Sequence, residues 1–160
     1  MKYLIKSGIG LILAWCLYPA CNPVSCPKTK KELISHFNQF VSSTVRDKEF
    51  YSIREWEAKD KEFSGYLQDC YPLLDTTFYL DDKQRFWSDA LRYYFKRYDN
   101  RVTTELLNNK NPNSVILQTQ IRSNWANPDE AFTRIFQEMT GLKFDEALKA
   151  ARDSIAEEDQ

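Results

Sequence analysis

The sequence is poor in the residues on which several large classes of protein depend. Its 160 residues include a single histidine, His36, and only four glycines. Glycine-rich phosphate-binding loops and glycine-turned β-hairpins are therefore close to excluded. A zinc site needs three or four ligands at suitable spacing, which cannot be assembled around one histidine, and no serine has the glycine-flanked setting of a hydrolase nucleophile. These shortages predict a non-catalytic protein with no metal and no cofactor.

An excess of charge of one sign is missing as well. The chain has 22 Lys+Arg and 23 Asp+Glu residues, for a net charge of −1, whereas nucleic-acid-binding proteins usually show a clear basic excess. Aromatic residues make up 14 % of the chain and all hydrophobic residues 42 %, which is enough for a packed core. We therefore expect one globular domain without a nucleic-acid partner.

The first twenty residues have the pattern of an export signal. Lys2 and Lys6 form a short positive region, and residues 8–18 are uncharged and mostly apolar. This apolar run suits a signal-peptide core and is shorter than the ~20 residues that a membrane-spanning helix needs. Residues 17–21, Leu-Tyr-Pro-Ala-Cys, resemble the lipobox of bacterial lipoproteins, in which a small residue precedes the cysteine.

The lipobox resemblance implies that Cys21 is acylated and becomes the first residue of the mature protein. Tyr18 stands where the family prefers leucine, and the frames that end at Cys16 or Cys26 fit less well. The alternatives are secretion without lipid, and an uncleaved anchor or buried helix. Acyl chains on Cys21 would hold the protein at a membrane. By the same resemblance, the lack of an acidic cluster after Cys21 favours a periplasm-facing position in the cell envelope.

The remaining two cysteines, Cys26 and Cys70, lie in the part of the chain that would persist after export. Two thiols in an oxidising compartment are a natural disulfide pair. In the alternative, Cys70 is a small apolar core residue and Cys26 stays reduced. The sequence leaves both alternatives open.

From Thr29 onward the spacing of apolar residues is helical. The first predicted helix covers residues 29–47. The second begins at the capping-box sequence Ser52 to Glu55 and ends at Pro72. Its apolar face is predicted to point inward. This face carries Ile53, Trp56, Asp60, Phe63, Leu67 and Cys70.

The second half of the chain continues the helical pattern. A third helix is predicted from Asp81 to about Asp99, and a short one near residues 102–107. The apolar pattern of residues 114–121 fits either a helix or a strand, and we favour a helix. Asn127 suits the N-cap position and Gly141 the C′ position of a further predicted helix. The predicted organisation is a signal peptide (1–20), a tether (21–30), an all-α bundle of five to six helices (31–156) and a frayed acidic tail (157–160).

Basic and aromatic residues alternate within residues 92–101. Such alternation is typical of surfaces that stack on sugars, bases or partner side chains. On a helix, the aromatic residues could instead face the core while the cations face solvent. The candidate partner-binding residues are Arg92, Tyr93, Lys96, Arg97 and Arg101.

Asp60 lies within the apolar face of the second predicted helix, where an unpaired carboxylate would be costly to bury. It could act as a general base or contact a ligand. We interpret it instead as a structural carboxylate that pairs with Arg, Tyr or Trp from a neighbouring helix.

The signal, the tether and the aromatic-rich helices together resemble small helical lipoproteins of Bacteroidota-type bacteria, a group of unassigned function. The resemblance depends on Phe40, Tyr51, Trp56, Asp60, Phe63, Tyr71, Phe86, Trp87 and Tyr94. The resemblance brings no known activity with it. Our own prediction is a membrane-anchored, non-catalytic envelope lipoprotein whose helical domain binds another envelope component, a protein or a glycan. The alternative is a small binding protein that takes a glycan, peptide or lipid in a groove between helices.

Overall fold

The computed structural model describes residues 25–141 and residue 143. Four predicted features lie outside the described residues: the signal peptide, acylation at Cys21, the acidic tail, and a last helix that the spacing of Phe144, Leu148, Ala151 and Ile155 predicts. No β-strand occurs in the described residues, so the predicted all-α bundle is confirmed. Its α-helices are α1 (Lys30–Arg46), α2 (Ile53–Ser64), α3 (Tyr71–Leu74), α4 (Leu80–Tyr98), α5 (Val102–Leu106), α6 (Pro112–Asn124) and α7 (Pro128–Thr140).

Helix α4 lies at the centre of the bundle. It packs against α1, α5, α6 and α7, and six of its hydrophobic side chains are almost fully buried in the core: Phe86, Trp87, Ala90, Leu91, Tyr93 and Tyr94. Helix α1 runs parallel to α4, because Lys30 bonds to Asp82 near the start of both helices while Lys96 bonds to Glu49 near their ends. Burial on several sides explains why α4 carries so many aromatic residues.

Helix α2 runs in the opposite direction to α4. Asp60 of α2 bonds to Arg97 near the end of α4. Tyr71, which follows α2 along the chain, contacts the rings of Phe86 and Trp87 in the first half of α4. The bundle therefore has two ends. We call the end that holds Cys70 and the starts of α1 and α4 the proximal end, and the end that holds Trp56 and the last turn of α4 the distal end. The 19 residues of α4 separate them by about 28 Å.

The start of α2 follows the predicted capping box. The Ser52 hydroxyl accepts a hydrogen bond from the backbone N–H of Glu55, and the Glu55 carboxylate accepts one from the backbone N–H of Ser52. Together these bonds satisfy two backbone donors that a helix start otherwise leaves unpaired.

We expect Ser52→Ala to lower the free energy of unfolding by about 1 kcal/mol, because the first turn of α2 loses its side-chain acceptor. Urea unfolding followed by circular dichroism measures the change. The matched control is Ser35→Ala at an exposed position of α1, which should not lower stability because alanine is the better helix former. Equal losses in the two variants would show that the cap contributes nothing.

The prediction that the second helix ends at Pro72 is wrong. The helical path continues through a π-helical segment, Gly65–Cys70, into α3, where Pro72 occupies the first turn. Proline lacks an N–H and its ring clashes with the carbonyl four residues earlier in a regular α-helix. The wider π turn moves that carbonyl away from the proline ring, so the helix continues past Pro72.

The inward orientation predicted for Ile53 is also wrong. Ile53 is 81 % exposed, and the neighbouring Phe50 is 82 % exposed. Ile53 is the first residue of α2, and no side chain in the described part of the chain covers it there. Trp56 is partly buried, whereas Phe63, Leu67 and Cys70 are buried as predicted.

The second half of the chain agrees with the helical interpretation. Residues 114–121 are helical within α6, with Leu117 and Ile121 buried. Helix α7 begins after Asn127 and ends at Gly141, whose φ of 71° is the left-handed conformation of a C′ glycine. No helix within the described residues is both long and apolar enough to cross a membrane.

Candidate binding groove

A disulfide bond joins Cys26 to Cys70 across a sequence separation of 44 residues. The sequence leaves two alternatives open for these cysteines, and the structure shows the disulfide bond. The bond fastens the segment before α1 to the end of the π-helical segment, at the proximal end of the bundle. Any tether that precedes Cys26 must leave the domain there.

The prediction of Tyr93 as a partner-binding residue is wrong. Tyr93 is 1 % exposed, and its ring stacks on Phe63 at a centroid distance of 4.1 Å. Its hydroxyl donates a hydrogen bond of 2.7 Å to Asp60 Oδ1. Burial and the neighbouring Asp60 carboxylate raise the pKa of Tyr93 far above its usual value. The residue is buried because α1 and α2 cover this side of the central helix.

Arg92 binds within the domain. Its guanidinium donates to Asp89 at 2.6 Å and, through two parallel bonds of 2.8 Å, to Glu138 of α7. A bidentate pair of this kind is strong and directional. The hydrogen bond to Glu138 is the main reason that the pKa of Arg92 is raised. In the structure, Arg92 therefore fastens α7 to α4.

Lys96, Arg97 and Arg101 lie closer to the surface. Lys96 Nζ donates to the backbone carbonyl of Glu49 at 3.2 Å, and the Arg101 side chain is exposed. The Arg97 guanidinium lies 4.9 Å from the centre of the Trp56 ring and donates to Asp60 Oδ2 at 3.0 Å. The five candidate residues thus occupy different environments and do not form one continuous face.

Asp60 pairs with a tyrosine and an arginine of a neighbouring helix, as predicted from the sequence. It accepts hydrogen bonds from the Tyr93 hydroxyl and from Arg97 Nε. This pairing meets the cost of placing a carboxylate within an apolar helix face. It also positions the Arg97 guanidinium against the ring of Trp56.

We expect Asp60→Ala to lower the free energy of unfolding by about 2 kcal/mol, chiefly because the buried Tyr93 hydroxyl loses its acceptor. The ion pair with Arg97 adds little, since both side chains are partly exposed to solvent. A double-mutant cycle with Tyr93→Phe measures the coupling, which should reach about 1 kcal/mol. Strictly additive effects would contradict the assignment.

A groove of about 580 Å³ opens at the distal end beside Lys96 and Arg97. One wall is the loop before α2 together with Trp56, the second is the end of α4, and the third is the end of α7. Its apolar lining consists of Phe50, Tyr51, Trp56, Phe95, Phe136 and Met139, and its charged lining of Glu49, Lys96, Arg97 and Asp99.

Aromatic rings and cations alternate along this groove. Tyr51 and Trp56 contact each other at a centroid distance of 4.8 Å, and the Arg97 guanidinium lies over the Trp56 ring. Such a lining can hold an apolar group against a ring face while a neighbouring cation meets an anionic group. The sequence indicated Lys96 and Arg97 as binding residues, but not the lining residues of the loop before α2 or of α7. These segments are distant from α4 along the chain, so no local sequence pattern shows that they meet.

In the described part of the chain, no group of three His, Cys, Asp or Glu side chains is placed to hold a metal ion. His36 is exposed on α1. The distal groove is the cavity that contains two of the predicted binding residues, Lys96 and Arg97.

The fold and the groove define an all-α domain with an aromatic, cation-flanked groove at one end. Comparison of the chain with known protein families, with curated proteins and with solved structures gives no match. The residues of the domain itself therefore supply the basis for an inference about function.

Proposed function

We propose that this chain is a lipid-anchored, non-catalytic protein of the cell envelope that binds another envelope component in its distal groove. The observation that carries the proposal is the placement of the groove at the opposite end of α4 from the disulfide. The lipobox resemblance of residues 17–21 supports acylation at Cys21. A domain held at its proximal end presents the groove about 28 Å farther from the anchor.

The rim of the groove supports contact with a macromolecule. Phe50 lines the groove and Ile53 follows it by three residues, and each is more than four-fifths exposed. Exposed apolar side chains that cluster beside polar ones mark interaction surfaces. Lys96 lies in the same lining and offers a cation to an acidic group of the partner.

The second candidate function is the binding of a small glycan, peptide or lipid. The volume of the groove, about 580 Å³, falls within the range of about 300–1,000 Å³ that is usual for ligand pockets. A specific ligand would raise the melting temperature of the purified protein. A thermal-shift screen with envelope glycans and lipids therefore separates this function from binding to a protein partner.

The proposal predicts that Lys96→Glu combined with Phe50→Ser abolishes capture of the partner by the full-length protein in a crosslinked membrane extract. Both side chains belong to the groove lining, and neither has a partner side chain in the core whose loss would unfold the domain. We expect an unchanged helical circular dichroism signal and a loss of binding of at least about tenfold, because truncating a central hot-spot residue of an interface costs about 2 kcal/mol or more.

The matched control variant is Lys110→Glu combined with Leu107→Ser, a lysine and a large apolar residue that are exposed away from the groove. This control should capture the partner as well as the unchanged protein does. Full capture by the groove variant, or an equal loss in the control, would contradict the proposal that the partner binds in the distal groove.

A further inference from the structure

We propose that the proximal end of the domain lies directly on the lipid surface and contacts it through Leu73, Tyr79 and Leu80. This inference rests on the proposed acylation of Cys21. It adds a second, non-covalent attachment that would set how the domain stands on the membrane.

The length of the tether limits how far the domain can stand from the membrane. Cys21 precedes Cys26 by five residues, which span at most about 18 Å when fully extended. Cys26 is fastened to Cys70 by the disulfide, so the tether ends on the folded domain at that point. Without the bond, the first fixed point would be Lys30 at the start of α1, about 32 Å from Cys21 at full extension.

The surface next to this attachment point carries exposed apolar side chains. Leu73 is 70 % exposed, Tyr79 is 76 % exposed and Leu80 is 56 % exposed. These are three of the seven large hydrophobic residues exposed in the described part of the chain, and all three fall within ten residues after Cys70.

The same surface is fixed to the start of α1. Lys30 Nζ lies 3.9 Å from the centre of the Tyr79 ring and bonds to Asp82 at 2.7 Å. Lys30 follows Cys26 by four residues, and Leu73 follows Cys70 by three. The disulfide, the start of α1 and the apolar side chains therefore belong to one end of the bundle.

The chemistry of this surface fits a lipid headgroup region. Tyrosine rings prefer that depth because one end is apolar and the other polar, and leucine side chains gain by entering the acyl boundary. Lys28 and Lys31 are exposed at the same end, where their amines can meet lipid phosphates. Asp69 and Asp81 are exposed there as well, so apolar contact rather than net charge carries the attachment.

The test uses the full-length protein, acylated by its expression host and reconstituted into vesicles of phosphatidylethanolamine and phosphatidylglycerol. The vesicles contain a trace of phospholipid with a photoactivatable group on its acyl chain. After irradiation, mass spectrometry maps the crosslinks along the chain. We expect crosslinks in residues 71–81 to exceed those in residues 49–56 at least about tenfold, since only the proximal end can enter the lipid.

Two variants supply the controls. Leu73→Ser combined with Leu80→Ser should reduce the crosslinks in residues 71–81 about tenfold, because two exposed leucines lose their burial in lipid. Leu107→Ser combined with Val115→Ser alters exposed apolar residues elsewhere and should leave the crosslinks unchanged. Both changes lie at the surface, so folding should be retained.

The outcomes distinguish this inference from the proposed function. Acylated protein without crosslinks in residues 71–81, or with equal crosslinks at both ends, overturns the inference and leaves the anchor intact. A protein whose intact mass shows no acyl group at Cys21 overturns both.

Discussion

Removing the disulfide, by Cys26→Ser together with Cys70→Ala, is expected to lower the free energy of unfolding by about 4 kcal/mol. The bond closes a loop with a sequence separation of 44 residues, and closing this loop restricts the unfolded chain. Alanine is chosen at position 70 because that side chain is fully buried and should remain apolar. Thermal unfolding of the two proteins at one concentration and pH measures the difference.

Reduction of the unchanged protein provides the control for this prediction. A thiol reductant should lower its melting temperature to near that of the variant, and should leave the variant itself unaffected. If the reduced and oxidised forms melted together, the bond would contribute nothing to stability and would not fix the tether to the proximal end.

Phe37→Ala is expected to lower the free energy of unfolding by about 4 kcal/mol, through lost burial and the cavity that remains. Phe37 is fully buried and extends from α1 into the space between the π-helical segment and α4. Its ring centroid is 4.2 Å from that of Phe86 and 5.2 Å from that of Tyr66. Phe86 also packs on Trp87, and Tyr66 on Phe40, so neither ring can collapse freely into the space.

The matched control for Phe37 is Phe50→Ala, the same change at a side chain that is 82 % exposed. Urea unfolding should show a change of no more than about 0.5 kcal/mol for this surface position. Comparable losses at the two positions would contradict the placement of the core around Phe37.

Features with local causes could be predicted from the sequence. The capping box at Ser52 and the C′ glycine at Gly141 each depend on a few consecutive residues, and both occur where predicted. The apolar spacing of α1 correctly placed Leu33, Phe37 and Val41 in the core. The fold class followed from many such local agreements.

Features that depend on neighbouring elements could not be predicted. The burial of Tyr93 depends on how many helices surround α4, and the spacing of apolar residues along α4 alone does not show how many there are. The path past Pro72 depends on a π-helical segment that has no simple sequence signal. The exposure of Ile53 depends on where the covering elements end.

The distal groove illustrates the same limit for the candidate site. Sequence reasoning selected Lys96 and Arg97 because cations and aromatic residues alternate there. It did not select Phe50 and Tyr51, which precede α2, or Met139 of α7 as binding residues. Their contribution follows from the way three separate segments meet at one end of the bundle.

The measurement that tests the central claim most directly is the intact mass of the protein from the membrane fraction, with and without reduction and alkylation. The account predicts a mass equal to residues 21–160 plus acyl chains, with alkylation at Cys26 and Cys70 only after reduction. A full-length, unacylated mass would contradict the lipid anchor, and with it the orientation of the groove away from a membrane.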